Sequence, residues 1–332
     1  MASKHSRERG VALIIVLWLT VLLTVVGTAF ATSMRSEALA SRNAASLAQA
    51  RAIADGAIER VAFELLRPRT LDSWKPDGAT HRWKDGDTEI IASARDESSK
   101  IDLNTAAEPL LRGLFVNVGG LDDAQASAIV DAIVDWRDAD DLRRPNGAEA
   151  ADYRSANSQY LPTNSGFETV GELSRVLGMT PTLYARVVPA LTVYSRQVGA
   201  NPLTANRETL LAFPPSTPEL VDDYIARRDE AIASHLPVPP FPPAQGFAIG
   251  AVPVWRIRAE AVRVDGVTFV REAVVRATAD PRRPFYAFLW SEGERPVLPD
   301  APATAAAAAT PPATILPSLA PKTSPTSDSR RS

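Results

Sequence analysis

The hydrophobic pattern of the chain starts with an uncharged run at residues 11–34, directly after the charged leader MASKHSRERG. A helix needs about 20 apolar residues to cross the hydrocarbon core of a bilayer, so this run is long enough. Lys4, Arg7 and Arg9 precede it, and positive flanking residues favour the cytoplasmic side. The pattern therefore predicts a transmembrane helix over 11–34, with the rest of the chain beyond the membrane.

The helical pattern continues past this segment, and no proline interrupts it before Pro68. Small and apolar residues recur with the 3.6-residue period of one helix face. They are Leu47, Ala50, Ala54, Ala57, Ile58, Val61 and Leu65. A single helix from Val11 to Arg67 would be roughly 85 Å long, so its second half must pack against a soluble part of the protein. Residues 35–100 are assigned to the rest of this helix and the first strands.

Two later stretches have the pattern of β-hairpins. Asp85-Gly86 and Asp265-Gly266 supply the positive φ angles that two-residue type I′ turns require. The first pair of strands is expected over 79–84 and 87–96, the second over 254–264 and 267–277, and a further apolar strand over 284–290. An antiparallel sheet of these strands would bury the apolar stripe of the long helix.

The chain between the two hairpins, residues 101–236, has helical signals throughout. Thr105, Thr169 and Ser216 are each followed three residues later by glutamate, the pattern of a capping box, and Pro181 fits the first position of a helix. The expected inward face of one helix consists of Ile129, Ile133, Val134 and Trp136. The predicted fold class is therefore α+β, a long amino-terminal helix on an antiparallel sheet, with a large all-helical insert between the strands.

The remaining segments are assigned by composition. Residues 237–294 return to the sheet, and their proline-rich start at 237–243 is expected to be a stiff linker. From Arg295 onward Pro, Ala, Ser and Thr predominate, so we expect a disordered tail over 295–332 because large apolar groups are too few to bury a core.

Composition and charge point away from catalysis and from nucleic-acid binding. The 332 residues carry a formal net charge of −3, which provides no basic surface. His5, His81 and His235 are the only histidines, at no spacing that suggests a catalytic triad, and no glycine-rich phosphate loop is present. We interpret the chain as a non-enzyme. Because it has no cysteine, its stability must come from packing or from a metal.

One acidic segment, DWRDADDLRRPNGAE, has metal-binding character. Asp138, Asp140 and Glu149 stand at the first, third and twelfth positions of a calcium loop of the EF-hand type. Leu142 and Arg143 depart from that loop, so the segment is not an EF-hand, and a solvated helix end is the alternative explanation. Further candidate carboxylates are Asp135, Asp141, Asp96 and Asp102.

Several motifs in fixed order carry a family resemblance: RGVALIIVLW, KIDLNTA, AIVDAIVDWRDADD, GAE before Tyr153, FETVGELSRVLG and VVPALTVYSR. Over residues 9–290 this order resembles the minor pseudopilin K family of the type II (general) secretion pathway. The resemblance implies a type IV pilin-like fold with a helix-hairpin-helix or SAM-like insert, and calcium bound in that insert. It also implies a single-pass subunit of a Gram-negative inner membrane, with its carboxy-terminal bulk in the periplasm. There it would sit at the tip of the pseudopilus, with other minor pseudopilins and the major pseudopilin as partners.

The junction at Gly10 is similar to a type IV pilin signal, because a short charged segment ends in glycine directly before the apolar helix. The resemblance implies that a prepilin peptidase cleaves between Gly10 and Val11 and methylates Val11. Two alternatives stay open. A secretory signal peptide would use the A-x-A sequence at 29–31, and an uncleaved anchor would use no site.

Ile15 departs from the general pilin pattern, in which the fifth mature residue is a glutamate that neutralises the amino terminus of the neighbour above. A buried carboxylate without its partner costs several kcal/mol. A subunit with nothing above it would lack that partner, so Ile15 is interpreted as a tip-defining residue. The alternative is an ordinary membrane-facing isoleucine.

Two further expectations concern partners. LNTAAEPLLRGL and PLTANRETLLAF resemble helix-hairpin-helix units, so a membrane-anchored DNA-binding protein is the alternative function. Asp122 and Asp123 would face the phosphates there, and like charge opposes binding, so no nucleic acid is expected. The partner pseudopilins are expected to pack on the apolar stripe of the long helix, at Leu47, Ala54, Ile58 and Val61.

Overall fold

The structure is a computed structural model that describes residues 5–68, 73–245, 247 and 252–294. The expected disordered tail at 295–332 and the first residues of the leader lie outside the described residues.

Helices and strands follow the predicted order. The helices are α1 (His5–Leu66), α2 (Glu108–Asn117), α3 (Asp123–Arg137), α4 (Ala150–Ser155), α5 (Pro181–Val187), α6 (Arg207–Ala212) and α7 (Pro218–Ala233). The strands are β1 (Asp77–Asp85), β2 (Thr88–Asp96), β3 (Ile101–Asp102), β4 (Leu191–Thr192), β5 (Val254–Arg263), β6 (Thr268–Ala277) and β7 (Phe285–Glu292). Short 3-10 helices lie at Glu97–Ser99, Val170–Arg175, Val188–Ala190 and Pro242–Ala244.

The main sheet has the order β1-β2-β5-β6-β7, and every neighbouring pair is antiparallel. Gly86 and Gly266 have φ angles of 57° and 84°, as the predicted two-residue turns require. The helical insert leaves the sheet after β2 and returns to it at β5, and the parallel pair β3 and β4 joins the start of the insert to the segment between α5 and α6. The predicted α+β, pilin-like fold with an insert between strands is therefore confirmed.

The carboxy-terminal half of α1 packs on one face of this sheet. Ile58 and Val61 contact the core that contains Ile257 and Val275, and their side chains are almost completely buried. A second, smaller cluster lies one to two turns earlier on the helix, where Ala50 packs with Ala261 and Phe269. Leu47 was predicted to belong to the same face but is 47% exposed, because it lies one turn before the first residue that the sheet covers.

The insert has its own core, centred on α2, α3 and α6. Leu114, Phe115 and Trp136 are fully buried there. At Gly113, a Cβ atom would lie 2.0 Å from the carbonyl oxygen of Ala212, so only glycine allows α2 and α6 to pack this closely.

The capping predictions have mixed outcomes. The box at Thr169 is present, since Glu172 accepts a hydrogen bond from the Thr169 N–H at 2.9 Å. The box at Thr105 is wrong, because that hydroxyl donates instead to the carbonyl of Gln197, 2.8 Å away, and α2 starts after Ala107. The prediction that Ser216 caps the next helix is also wrong, by one residue. Thr217 caps α7, because Pro218 takes the first helical position.

The proline-rich segment at 237–243 does more than link the insert to the sheet. The ring of Phe241 is buried 4.7 Å from Tyr224 and 5.9 Å from Phe213, measured between ring centroids. The segment therefore closes one side of the insert core before the chain returns to β5.

Candidate functional site

The amino-terminal part of α1 is one uninterrupted helix that contains Gly10, Val11 and Ile15. Within the described residues, α1 is the one helix long and apolar enough to cross a membrane, and its apolar window is entirely exposed. Ile15 lies in this window with 61% of its surface exposed. The A-x-A sequence at 29–31 lies within the same helix. The pilin-type junction at Gly10 and the signal-peptidase sequence are therefore both parts of α1.

The acidic loop folds back onto the last turns of α3. Asp131 and Asp135 are four residues apart and therefore share one face of the helix. Asp131 accepts hydrogen bonds from the Arg144 Nε at 2.9 Å and from the Asn146 N–H at 3.1 Å. Both oxygens of the buried Asp135 carboxylate lie 3.3 Å from the Arg144 N–H. The loop is thus held by two carboxylates of α3. Val134, which was predicted to face the core, is only half-buried.

Gly147 allows the loop to approach α3 this closely. A Cβ atom at this position would lie 2.0 Å from Oδ2 of Asp135, so any other residue would have to displace this carboxylate. The glycine of the NGAE sequence is therefore required by close contact, and it places Glu149 at the start of α4.

Glu149 is a buried carboxylate that lacks hydrogen-bond donors. Its backbone N–H donates to Asp152 Oδ2 at 3.0 Å. Within the part of the chain that the structure describes, neither of its own side-chain oxygens has a hydrogen-bond partner of good geometry, and the same is true of Oδ1 of Asp138. Burial raises the pKa of Glu149, the negative charges of Asp135, Asp138 and Asp141 raise it further, and the nearby backbone N–H of Ala150 opposes them in part. Such oxygens are the ligands that a hard cation prefers.

Two neighbouring carboxylates, Asp138 and Asp135, also have raised pKa values. Burial also raises the pKa of Asp138, with Asp140 as the next cause. Burial raises the pKa of Asp135 more than its backbone hydrogen bonds lower it. The structure therefore gathers carboxylates whose charges repel one another.

The other predicted ligands have different surroundings. Asp140 is exposed and accepts a hydrogen bond from the Leu142 N–H, and Asp141 accepts one from the Asn164 side chain, each at 2.9 Å. Asp96 and Asp102 accept backbone hydrogen bonds in other turns and are not among the charges that act on Glu149. In the part of the chain that the structure describes, no three acidic or histidine side chains are grouped closely enough to chelate an ion.

Sequence reasoning missed Asp131, Arg144 and Gly147 as parts of this site. The four-residue spacing of Asp131 and Asp135 was a visible signal. Nothing in the local sequence indicates that Arg144 returns to α3 or that Gly147 contacts a carboxylate, because both contacts depend on the path of the loop.

The first helical hairpin carries negative charge at its turn. Asp122 caps α3 by accepting a hydrogen bond from the Gln125 N–H at 2.8 Å. Asp123 forms an ion pair with Arg112 at 3.1 Å. Two carboxylates at the end where a helix-hairpin-helix unit would meet phosphate oppose nucleic-acid binding.

The predicted partner stripe on α1 is wrong. Ala54, Ile58 and Val61 have at most 1% of their surface exposed, because the chain's own sheet covers them. These three residues cannot contact a second helix unless the sheet contact opens, and of the predicted stripe only Leu47 is exposed.

A buried ionic cluster joins the insert to the sheet. The Arg256 Nε donates to Glu97 Oε1 at 2.5 Å, and Glu272 binds the same guanidinium. Glu97 is 1% exposed and also accepts a hydrogen bond from the Thr192 hydroxyl. Burial lowers the pKa of the nearby Lys100, although Glu97 opposes this. The cluster connects β5 and β6 with the segment that enters the insert at Glu97 and with β4 inside the insert.

Comparisons with known proteins agree with these features. The family model for type II secretion system (T2SS) protein K matches residues 86–196. The chain is 32% identical over 236 residues to the type II secretion system protein K of Klebsiella pneumoniae, covering 63% of this chain and 70% of that protein. It is 27% identical over 225 residues to a putative type II secretion system protein K of Escherichia coli K12, covering 61% and 68%.

The fold is also similar to a chain in the crystal structure of the GspK-GspI-GspJ complex from enterotoxigenic Escherichia coli. The TM-score is 0.52 at 16% identity, over 79% of this chain and 99% of that chain. At this identity the likeness concerns the fold.

Proposed function

Since the chain belongs to the type II secretion system protein K family, we propose that it works as a minor pseudopilin at the tip of a periplasmic pseudopilus. It would assemble there with two other minor pseudopilins, above the major pseudopilin, and support export of folded proteins across the outer membrane. The observation that carries this proposal is the architecture. A 62-residue helix lies on the sheet, and a helical domain interrupts the sheet between β2 and β5. The similar chain from a complex of GspK, GspI and GspJ supports partners of this kind.

The proposal includes the position of the chain in the cell envelope. Residues 11–34 would anchor the protein in the inner membrane, with the bulk of the chain in the periplasm. A prepilin peptidase would cleave between Gly10 and Val11 and methylate Val11. The continuous helix on both sides of Gly10 and the exposed apolar window support this arrangement.

Ile15 supports the tip position. An isoleucine in the membrane segment needs no charged partner, whereas a carboxylate there would need one from a subunit above. A chain with Ile15 can therefore end a fibre without leaving a buried charge unpaired.

Calcium is proposed as a structural ion in the acidic loop. Glu149 and Asp138 would supply the oxygens that lack hydrogen-bond donors, with Asp135, Asp140 and Asp141 as the other candidates. A bound divalent cation would replace repulsion among these carboxylates with ligation, and would hold the loop against α3.

Assembly tests the proposed function. The full-length chain, coexpressed with the two other minor pseudopilins of its own system and extracted in detergent, is expected to form a one-to-one-to-one complex. Light scattering on the purified protein measures the mass, and the chain expressed alone is the control. Three separate species at micromolar concentration would contradict the proposal.

Calcium is expected to raise the melting temperature. Binding to the folded state alone contributes about 2.7 kcal/mol at a hundred times the dissociation constant. For a protein of this size that corresponds to roughly 5–10 °C. Thermal melting in chelator and in millimolar calcium measures the effect, and an Asp138→Asn, Glu149→Gln variant is the control. An unchanged melting temperature in the native chain would identify the loop as a solvated helix end.

The pH dependence in chelator has a defined sign. Because the folded-state pKa of Glu149 is raised, the native state holds more protons than the unfolded state above the ordinary carboxyl range, so stability falls as pH rises. Glu149→Gln is therefore expected to be more stable than the native chain at pH 7 in chelator. This advantage should shrink toward pH 5 and reverse in calcium. Parallel melting curves of the two proteins check this crossover.

A further inference from the structure

A cavity of about 160 Å³ lies where the helical insert meets the main sheet. Residues 194–197, which follow β4, form part of its lining, and Val252, Val254 and Arg276 form the rest. Val254 of β5 is paired with Arg276 of β6. The cavity therefore brings Arg196 and Arg276 together from parts of the chain that are far apart in sequence.

Arg276 differs from Arg256 and Arg258, which share its face of the sheet. It pairs with Val254, two residues before Arg256, so the alternation of side chains along a strand puts all three arginines on one face. Arg256 and Arg258 each form an ion pair with a carboxylate. In the described part of the chain Arg276 forms none, so no carboxylate there compensates its charge.

Arg196 is held at the cavity in an unusual backbone conformation. Its φ angle is 52°, in the left-handed region that residues with side chains rarely adopt. Its backbone N–H donates to Asp102 Oδ2 at 2.7 Å, and its exposed side chain forms no ion pair with the described residues. Such a conformation persists only where the surrounding structure imposes it. The fold therefore fixes the position from which this guanidinium lines the cavity.

The lining of the cavity supplies no negative charge. None of the described residues that line it is acidic, and residues 248–251, next to this lining in sequence, have no charged side chain either. Asp102 contacts the same turn but is fully buried, and it accepts hydrogen bonds from the Ser195 hydroxyl and the Arg196 N–H. Its charge is also attracted to the guanidinium of Arg137. Two positive side chains therefore line a small space without a counter-charge.

We propose that this cavity binds one oxyanion group, a carboxylate or a phosphate, between Arg196 and Arg276. A guanidinium presents a planar fork of N–H donors that matches two oxygens of either group. The volume suits a single such group, since pockets that enclose a drug-sized molecule usually exceed about 300 Å³.

The bound anion would join the turn after β4 to β6. It would thereby fix the insert to the sheet at a second point, in addition to the contact of Glu97 with Arg256. This inference goes beyond the proposed function and does not depend on it.

Calorimetric titration of the full-length chain in detergent tests the site. Inorganic phosphate and acetate are titrated separately in calcium-free buffer, because phosphate would precipitate calcium. Saturable one-to-one binding of at least one of these anions is expected. Arg196→Gln and Arg276→Gln should each weaken it about 10-fold or more, since each removes charge-assisted hydrogen bonds. Arg42→Gln, an equal change of charge at an exposed position of α1 outside the cavity, is the matched control and should keep the native affinity.

Melting curves separate loss of the site from loss of the fold. Both cavity variants should keep the native melting temperature without anion, and the exposed position of Arg196 keeps the test decisive if Arg276→Gln fails to fold. Equal affinity of the native chain and the cavity variants would overturn the site, and so would no binding of either anion at about 10 mM. Binding of acetate alone would support the site with a carboxylate as ligand, and binding of phosphate alone would support it with a phosphate.

Discussion

Replacing Arg256 with methionine is expected to lower the free energy of unfolding by about 3–5 kcal/mol, the usual cost of breaking a buried ion pair from one side. The substitution leaves the Glu97 carboxylate, 1% exposed, without the guanidinium that lies 2.5 Å away. Neutralising both partners in an Arg256→Met, Glu97→Gln chain should recover part of the loss, because the most deeply buried charge is then removed and only Glu272, 29% exposed, remains without its guanidinium partner. Chemical denaturation of the two variants and the native chain measures the difference.

Arg258→Met is the matched control. Arg258 lies two residues later on β5, with side-chain exposure similar to that of Arg256, 28% against 25%, but its contact with Glu260 is longer at 3.4 Å and less buried. Its loss is expected to cost about 1 kcal/mol or less. Equal effects of the two methionine substitutions would show that lost packing of the arginine stem, and not the buried charge of Glu97, explains the destabilisation.

Replacing Gly10 with valine is expected to slow processing by roughly 100-fold or more, equivalent to about 2.7 kcal/mol in the transition state of cleavage. A β-branched side chain at the last position of the proposed leader would obstruct a peptidase site shaped for glycine. Amino-terminal sequencing of the membrane-extracted protein measures the outcome, with Val11 as the first residue of the native chain and the uncleaved leader on the variant.

Gly27→Val is the control for this experiment. Gly27 lies in the same helix, and a Cβ atom there meets nothing within 4 Å, so processing should be normal. Cleavage of Gly10→Val at the native rate would contradict a pilin-type junction. A native chain that starts at Thr32 would indicate signal peptidase, and one that starts at Met1 or Ala2 would indicate a plain anchor.

Local signals in the sequence were sufficient for most secondary structure. The Asp-Gly turns at Gly86 and Gly266 predicted both hairpins to within two residues, because a two-residue turn sets the register of its strands. The long helix was also predicted from local signals, because its apolar residues keep the helical spacing and no proline occurs before Pro68. The acidic residues of the candidate metal site were visible as a run after α3.

Contacts between distant segments decided the rest. The hydroxyl of Thr105 caps no helix because Gln197, distant in sequence, supplies its acceptor. Phe241 belongs to the insert core only because α7 places Tyr224 beside it. The Arg256 to Glu97 contact spans 159 residues, and neither residue has a local pattern that predicts burial.

The sequence by itself determined the long apolar helix, the two hairpins, the helical insert and the acidic run after α3, because each depends on residues near in the chain. Only the tertiary structure decided which face of α1 is free. Ala54 and Gly56 are both small residues of one helix, but the sheet covers the first and leaves the second exposed. Helical period identifies an apolar face but not what packs on it, since burial depends on where the sheet lies in space.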